Sequence, residues 1–172
     1  MRTKILSVGL AAVLACAAAG AWAQDKADKA SQKFLKGAIE GNLAEIEMGK
    51  LAQQNGQSGD VKSFGQMLVT DHGSANQKAT SVAQQMGVTP PSEPNRKQKN
   101  EYQRMSKLSG DKFDKAFAKH MVTDHKKDIS AFEKESKKND AAAQFAKDTL
   151  PTLRKHLETA QSLDKPARAQ AR

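Results

Sequence analysis

The chain has 172 residues, a formal net charge of +9, 5% aromatic residues and a single cysteine. That length allows one domain with a real core, and one cysteine excludes an internal disulfide and a thiolate metal cluster. The basic excess suits an anionic envelope surface, but with one Tyr, one Trp and no aromatic-basic motif it does not indicate nucleic-acid binding.

Arg2 and Lys4 followed by an apolar, small-residue stretch from Ile5 to Ala19 and by Ala21-Trp22-Ala23 have the form of an export signal cleaved before Gln24. The stretch is short of the roughly 20 apolar residues that span a bilayer, and nothing after it is continuously apolar, so no transmembrane segment is expected in the mature chain. The expected product is periplasmic and soluble. The alternative is a lipoprotein box, Val13-Leu14-Ala15-Cys16, which would leave a chain lipid-anchored at Cys16. Residues 1–23 thus read as signal peptide, 24–165 as one four-helix domain and 166–172 as a basic flexible tail. Removing the signal removes two basic residues and no acid, leaving 26 against 19, a net of +7.

Between residues 28 and 164 apolar residues recur at spacings of three and four, which predicts helices throughout. The first runs from about Lys29 to Gln53 and stops at Asn55-Gly56. Ser58 or Asp60 caps the second, whose stripe is Val61, Phe64, Leu68, His72, Ala75, Ala79, Val82 and Met86. Gly87 and the proline-rich 89–94 segment end it. A short polar helix from about Arg96 to Leu108 follows, broken by Ser109-Gly110. The third long helix starts at Asp111 and carries Phe113, Phe117, Met121, His125 and Phe132. Asn139 or Asp140 caps the fourth, which carries Phe145, Leu150, Leu153, His156, Leu157 and Ala160. Pro151 is expected to kink it or to begin a new helix one turn before His156. Four long amphipathic helices in one short domain predict an up-and-down or crossover bundle, with the short helix as an extra in the connection between the second and third.

One motif occurs twice. Phe64, Leu68, Val69, Thr70, Asp71 and His72 are echoed by Phe117, Met121, Val122, Thr123, Asp124 and His125, so two helices place a histidine in the same register of an apolar stripe. His156 also faces the core, and on the first helix Glu45 falls among small residues while Glu47 falls on a more exposed side. Each long helix therefore offers one inward polar side chain: Glu45, His72, His125 and His156. Inward ligands from facing helices are how bundles build metal sites, and this set suits one transition metal ion, zinc, copper or iron. Met67, Met86 and Met121 could add thioether ligands to a copper site. The alternative is a buried Glu/His network that only fixes core packing in a structural or interaction protein of the envelope. Asp71 and Asp124 point about 100° away from the histidines that follow them, and are expected to pair with neighbouring helices. His120 lies on a flank. No phosphate loop, Gly-x-Ser-x-Gly elbow or His-Glu-x-x-His is present, so no catalytic residue is assigned.

The run from Ala44 to Ala52, then Val61-Lys62-Ser63-Phe64 leading into the first Val-Thr-Asp-His, resembles the bacterial exported family called domain of unknown function 4142. Leu108-Ser109-Gly110, Phe113-Asp114, the second Val-Thr-Asp-His and Leu150-Pro151-Thr152-Leu153 before His156-Leu157 extend the resemblance over nearly the whole mature chain. It implies a ferritin-like four-helix bundle in the envelope and no particular activity. A ferritin di-iron signature puts Glu three residues before each ligand His. Here those positions hold Val69, Val122 and Leu153, which favours a histidine-rich site for one ion.

Overall fold

The structure is a computed structural model and describes residues 28–165, so the expected signal and tail lie outside the described residues. Five helices follow one another: α1 (Lys29–Asn55), α2 (Gly59–Gln85), α3 (Arg96–Met105), α4 (Gly110–Glu135) and α5 (Ala141–Leu163). The fold is the expected all-α bundle, with four long helices and α3 as the short extra one. Four of the helix starts, all but that of α4, are fixed by cap side chains that accept the otherwise orphaned first-turn N–H groups. Asp28 accepts from Ser31, Ser58 from Val61 and Asp140 from Ala143, while Asn95 and Gln98 form a reciprocal capping box on α3.

The topology is the crossover form. The backbone N–H groups of Gln57 and Ser58, in the α1–α2 turn, donate to the Asp114 carboxylate at 2.9 and 2.8 Å, and Gln57 Oε1 accepts from Asp111 N at 3.0 Å. The start of α4 is thereby pinned beside the start of α2. At the other end, Ser31 Oγ lies 2.6 Å from Glu135 Oε1 and 2.8 Å from Asp140 Oδ2, its one O–H shared between the two acceptors, which ties the start of α1 to the α4–α5 turn. So α2 and α4 run parallel, α1 and α5 run against them, and the connection carrying α3 climbs back along the bundle. Asn95 Nδ2 donates to Glu40 Oε2 and Asn55 Nδ2 to Leu108 O, which lays α3 over the α1/α4 seam from the middle of α1 upward.

The apolar core is split into two lobes. The upper one joins Met48, Leu51, Val61, Phe64, Leu68, Phe113, Phe117, Met121 and Ala160; the lower one joins Leu35, Ile39, Ala79, Ala83, Phe132, Phe145, Leu150 and Leu153. On every long helix the inward polar residue lies between its upper-lobe and lower-lobe residues: Asn42 and Glu45 on α1, His72 on α2, His125 on α4, His156 on α5. A buried polar layer thus crosses the middle of the bundle. The repeated motif explains its level. Because α2 and α4 are parallel and start at the same end, Val-Thr-Asp-His copies at similar distances from those starts bring two histidines to the same height.

Pro151 does not start a new helix. α5 runs unbroken through it from Ala141 to Leu163, and both Pro151 and Lys147, whose carbonyl loses its donor, are exposed. The missing bond falls on the water side, where it costs least.

Candidate metal centre

His72, His125 and His156 are 4%, 1% and 0% exposed. One ring nitrogen of each lies within 4.8 Å of one from each of the others. Ring centroids are 5.2 Å apart for His72 and His156, 5.3 Å for His125 and His156, and 5.8 Å for His72 and His125. Phe64 closes the cluster from the upper lobe, its ring 6.0 Å from that of His156.

The partners of the outer nitrogens set the tautomers. His72 Nδ1 lies 2.9 Å from Asn42 Oδ1, His125 Nδ1 3.0 Å from Met121 O, and His156 Nε2 2.8 Å from Asp71 Oδ2. All three partners are acceptors, so each imidazole donates there, and a neutral imidazole has only one N–H to give. His72 Nε2, His125 Nε2 and His156 Nδ1 are left as lone pairs. The last two face each other at 3.3 Å with no proton to share, and His72 Nε2 has no hydrogen-bond partner.

Burial holds all three rings neutral. Desolvation, then the charges of His125 and His156, pushes His72 well below the ordinary imidazole value. Desolvation and then His156 bring His125 down to about 4. Desolvation also lowers His156, although the Asp71 carboxylate pulls the other way. Neutral rings with exposed lone pairs are what a metal ion requires.

Glu45 shares the layer but meets the histidines from outside. Its Oε1 lies 3.9 Å from His125 Nδ1, beyond hydrogen-bond range and on the nitrogen that already donates to Met121. It groups with Asp124 and Asp128 of α4. Burial, then Asp124 and Asp128, pushes its carboxyl well above the usual range. The methionines stay in the apolar lobes: Met86 in the lower, Met121 in the upper, with Met67 packed against the upper. His120 is on the flank, its Nδ1 3.7 Å from Glu101 of α3. Asn42 and Asp128 escaped the sequence reading. Asn42 sits one turn before Glu45 on the same face, a spacing that could have found it. Asp71 does pair with a neighbouring helix, but with the imidazole of His156 itself, and no local signal marks that partner.

Below the reach of α3 the α1/α4 seam opens into a cavity of about 430 Å³ lined by Phe34, Gly37, Gly41, Phe132, Leu153 and, in the polar layer, Asn42 and His72. It links the layer to the surface.

No curated protein and no solved structure matches the chain. A family model described as Domain of unknown function (DUF4142) matches residues 16–163. Those residues include every helix among the described residues and every polar residue of the central layer, and the chain belongs to that family.

Proposed function

We propose that the chain is an exported metal-binding protein whose ion, zinc, copper or iron, is held by His72 Nε2, His125 Nε2 and His156 Nδ1. The observation that carries this reading is that one ring nitrogen of each histidine lies within 4.8 Å of one from each of the others, while an acceptor on each ring fixes its tautomer. Orienting acceptors of this kind accompany metal-ligating histidines. The 3.3 Å between His125 Nε2 and His156 Nδ1 also equals the edge of a tetrahedral site with metal–nitrogen bonds of 2.0–2.1 Å, about 3.3 Å. His72 has to close inward to complete the face. A fourth position is then left toward the α1/α4 cavity, for water or a small ligand.

Thermal melting with and without added ion tests this. Metal that binds only the folded state raises the melting temperature with its concentration. The native protein should show that rise and His125→Ala should not. The structural alternative, in which the Asn42–His72 and Asp71–His156 bonds only lock helix register, requires no shift with zinc, copper or iron at neutral pH.

Export is part of the same proposal and rests on Arg2, Lys4, the apolar stretch and Ala21-Trp22-Ala23. Intact mass of the mature protein should correspond to a chain beginning at Gln24. A product keeping Cys16 with acyl chains would replace the soluble form with a membrane-tethered one. The basic surface then meets anionic envelope polymers or lipid in either case.

A further inference from the structure

Beside the histidine layer, on the α1/α4 seam, three carboxylates converge. One oxygen from each of Glu45, Asp124 and Asp128 lies within 4.8 Å of one from each of the others. Asp124 and Asp128 are one turn apart on α4 and so share a face, while Glu45 meets them from α1. Neither Glu45 oxygen has a hydrogen-bond partner, although the residue is only 2% exposed. Buried polar atoms in folded proteins are almost always paired. The nearby counter-charge is Lys127, whose exposed side chain places Nζ 3.5 Å from Asp124 Oδ1 and 3.8 Å from Asp128 Oδ1. No hydrogen bond joins it to Glu45.

We propose that Glu45, Asp124 and Asp128 form a second cation site, separate from the three histidines, that takes a divalent ion preferring oxygen ligands, with Mn²⁺ as the probe. Three carboxylate oxygens with no nitrogen or sulfur select such ions over the softer ones that imidazole favours. An ion there gives the two orphaned Glu45 oxygens a partner and relieves the repulsion among three acids. Access exists on both sides: Glu45 and Asp124 line a cavity of about 260 Å³ under α3, and Asp128 lines the larger one. Opposite Asp128 stands Gly41, where even an added Cβ would remain 4.0 Å from Oδ2, so water ligands have room. Lys127 is on the exposed side and swings into water as the ion enters.

The test uses the full mature chain, stripped of metal, saturated with Zn²⁺ and then dialysed against Mn²⁺, with both metals quantified and bound Mn²⁺ read by electron paramagnetic resonance. The native protein should retain about one Mn²⁺ per chain beside its zinc. Glu45→Gln and Asp128→Asn should each weaken Mn²⁺ binding by roughly tenfold or more while keeping zinc, and Lys127→Met should strengthen it. Both carboxylate variants are near-isosteric, so retained helical circular dichroism verifies their fold. No Mn²⁺ uptake by the native protein, or uptake unchanged in both carboxylate variants, overturns the proposal. His72→Ala separates the two sites: it should lose zinc and keep manganese. Native protein that takes Mn²⁺ but none of zinc, copper or iron defeats the histidine reading and leaves this one standing.

Discussion

Because a neutral imidazole has one N–H, whatever accepts that proton decides which nitrogen keeps a lone pair. Asp71 accepts from His156 Nε2 and so turns Nδ1 toward His125. Its own side chain is 34% exposed, so its removal opens no core cavity. Asp71→Ala should therefore weaken metal affinity by roughly 10–100-fold while the melting temperature of the ion-free protein moves little. Isothermal titration beside a thermal melt checks both halves. A large loss of ion-free stability with unchanged affinity would make Asp71 a packing residue. The twin aspartate has other neighbours, since Asp124, preceding His125, joins Glu45 and Asp128. One motif written twice thus yields two environments, because the flank that carries the aspartate faces α5 from α2 but α1 from α4.

Helix α1 approaches α2 closely where both lack side chains. A Cβ on Gly49 would stand 2.5 Å from Gly65 O, and one on Gly65 would stand 2.6 Å from Gly49 O. Backbone cannot yield as a side-chain tip can, so Gly49→Ala should destabilise by about 1–3 kcal/mol although alanine is the better helix former. Gly37, on the same helix with nothing within 4 Å, should do the opposite, Gly37→Ala stabilising by about 0.5–1 kcal/mol. Chemical denaturation of the two variants checks the sign of each. At this scale the sequence was most readable: periodicity placed all five helices, and Ser58 and Asp140 were recognisable caps. Bounds moved slightly, α1 ending at Asn55 and α3 at Met105. What could not be read was which residue on the neighbouring helix a flank side chain meets. A helix in a four-helix bundle presents one stripe to the centre and its flanks to two neighbours, so Asp71, some 100° from His72, still reaches His156, 85 residues away. The same geometry hid Asp128 opposite Glu45.

Stability against pH pits two sets of buried groups against each other. Burial holds His72, His125 and His156 below the ordinary imidazole value of about 6.5, His125 at about 4. Below about pH 6.5 the unfolded chain binds protons that the folded one refuses, so this part of the stability falls as pH falls. Burial and neighbouring acids raise Glu45 well above the carboxylate range and Asp128 to about 7. Here the folded chain holds protons that the unfolded one has released, so this part falls as pH rises. Three imidazoles outweigh two carboxyls on the acid side, and only the carboxyls act on the alkaline side. The ion-free protein should therefore melt highest near about pH 6.5 and lower on both sides. Glu45→Gln should flatten the alkaline limb and leave the acid limb in place. A native melting temperature still climbing well above neutrality would contradict the assignment.

The division of the core into an upper and a lower lobe has a kinetic consequence. Each lobe is a contiguous apolar cluster, and the four helices pass from one to the other through residues that contribute hydrogen bonds rather than hydrophobic cohesion. Cooperative opening follows contiguous packing, so without an ion the two halves should behave as separate foldons, with amide hydrogen exchange fastest around Asn42, His72, His125 and His156. An ion shared by α2, α4 and α5 bridges the boundary, and exchange on either side of it should then slow together. Uniform protection along the ion-free helices would show that the layer transmits cooperativity as well as the lobes do.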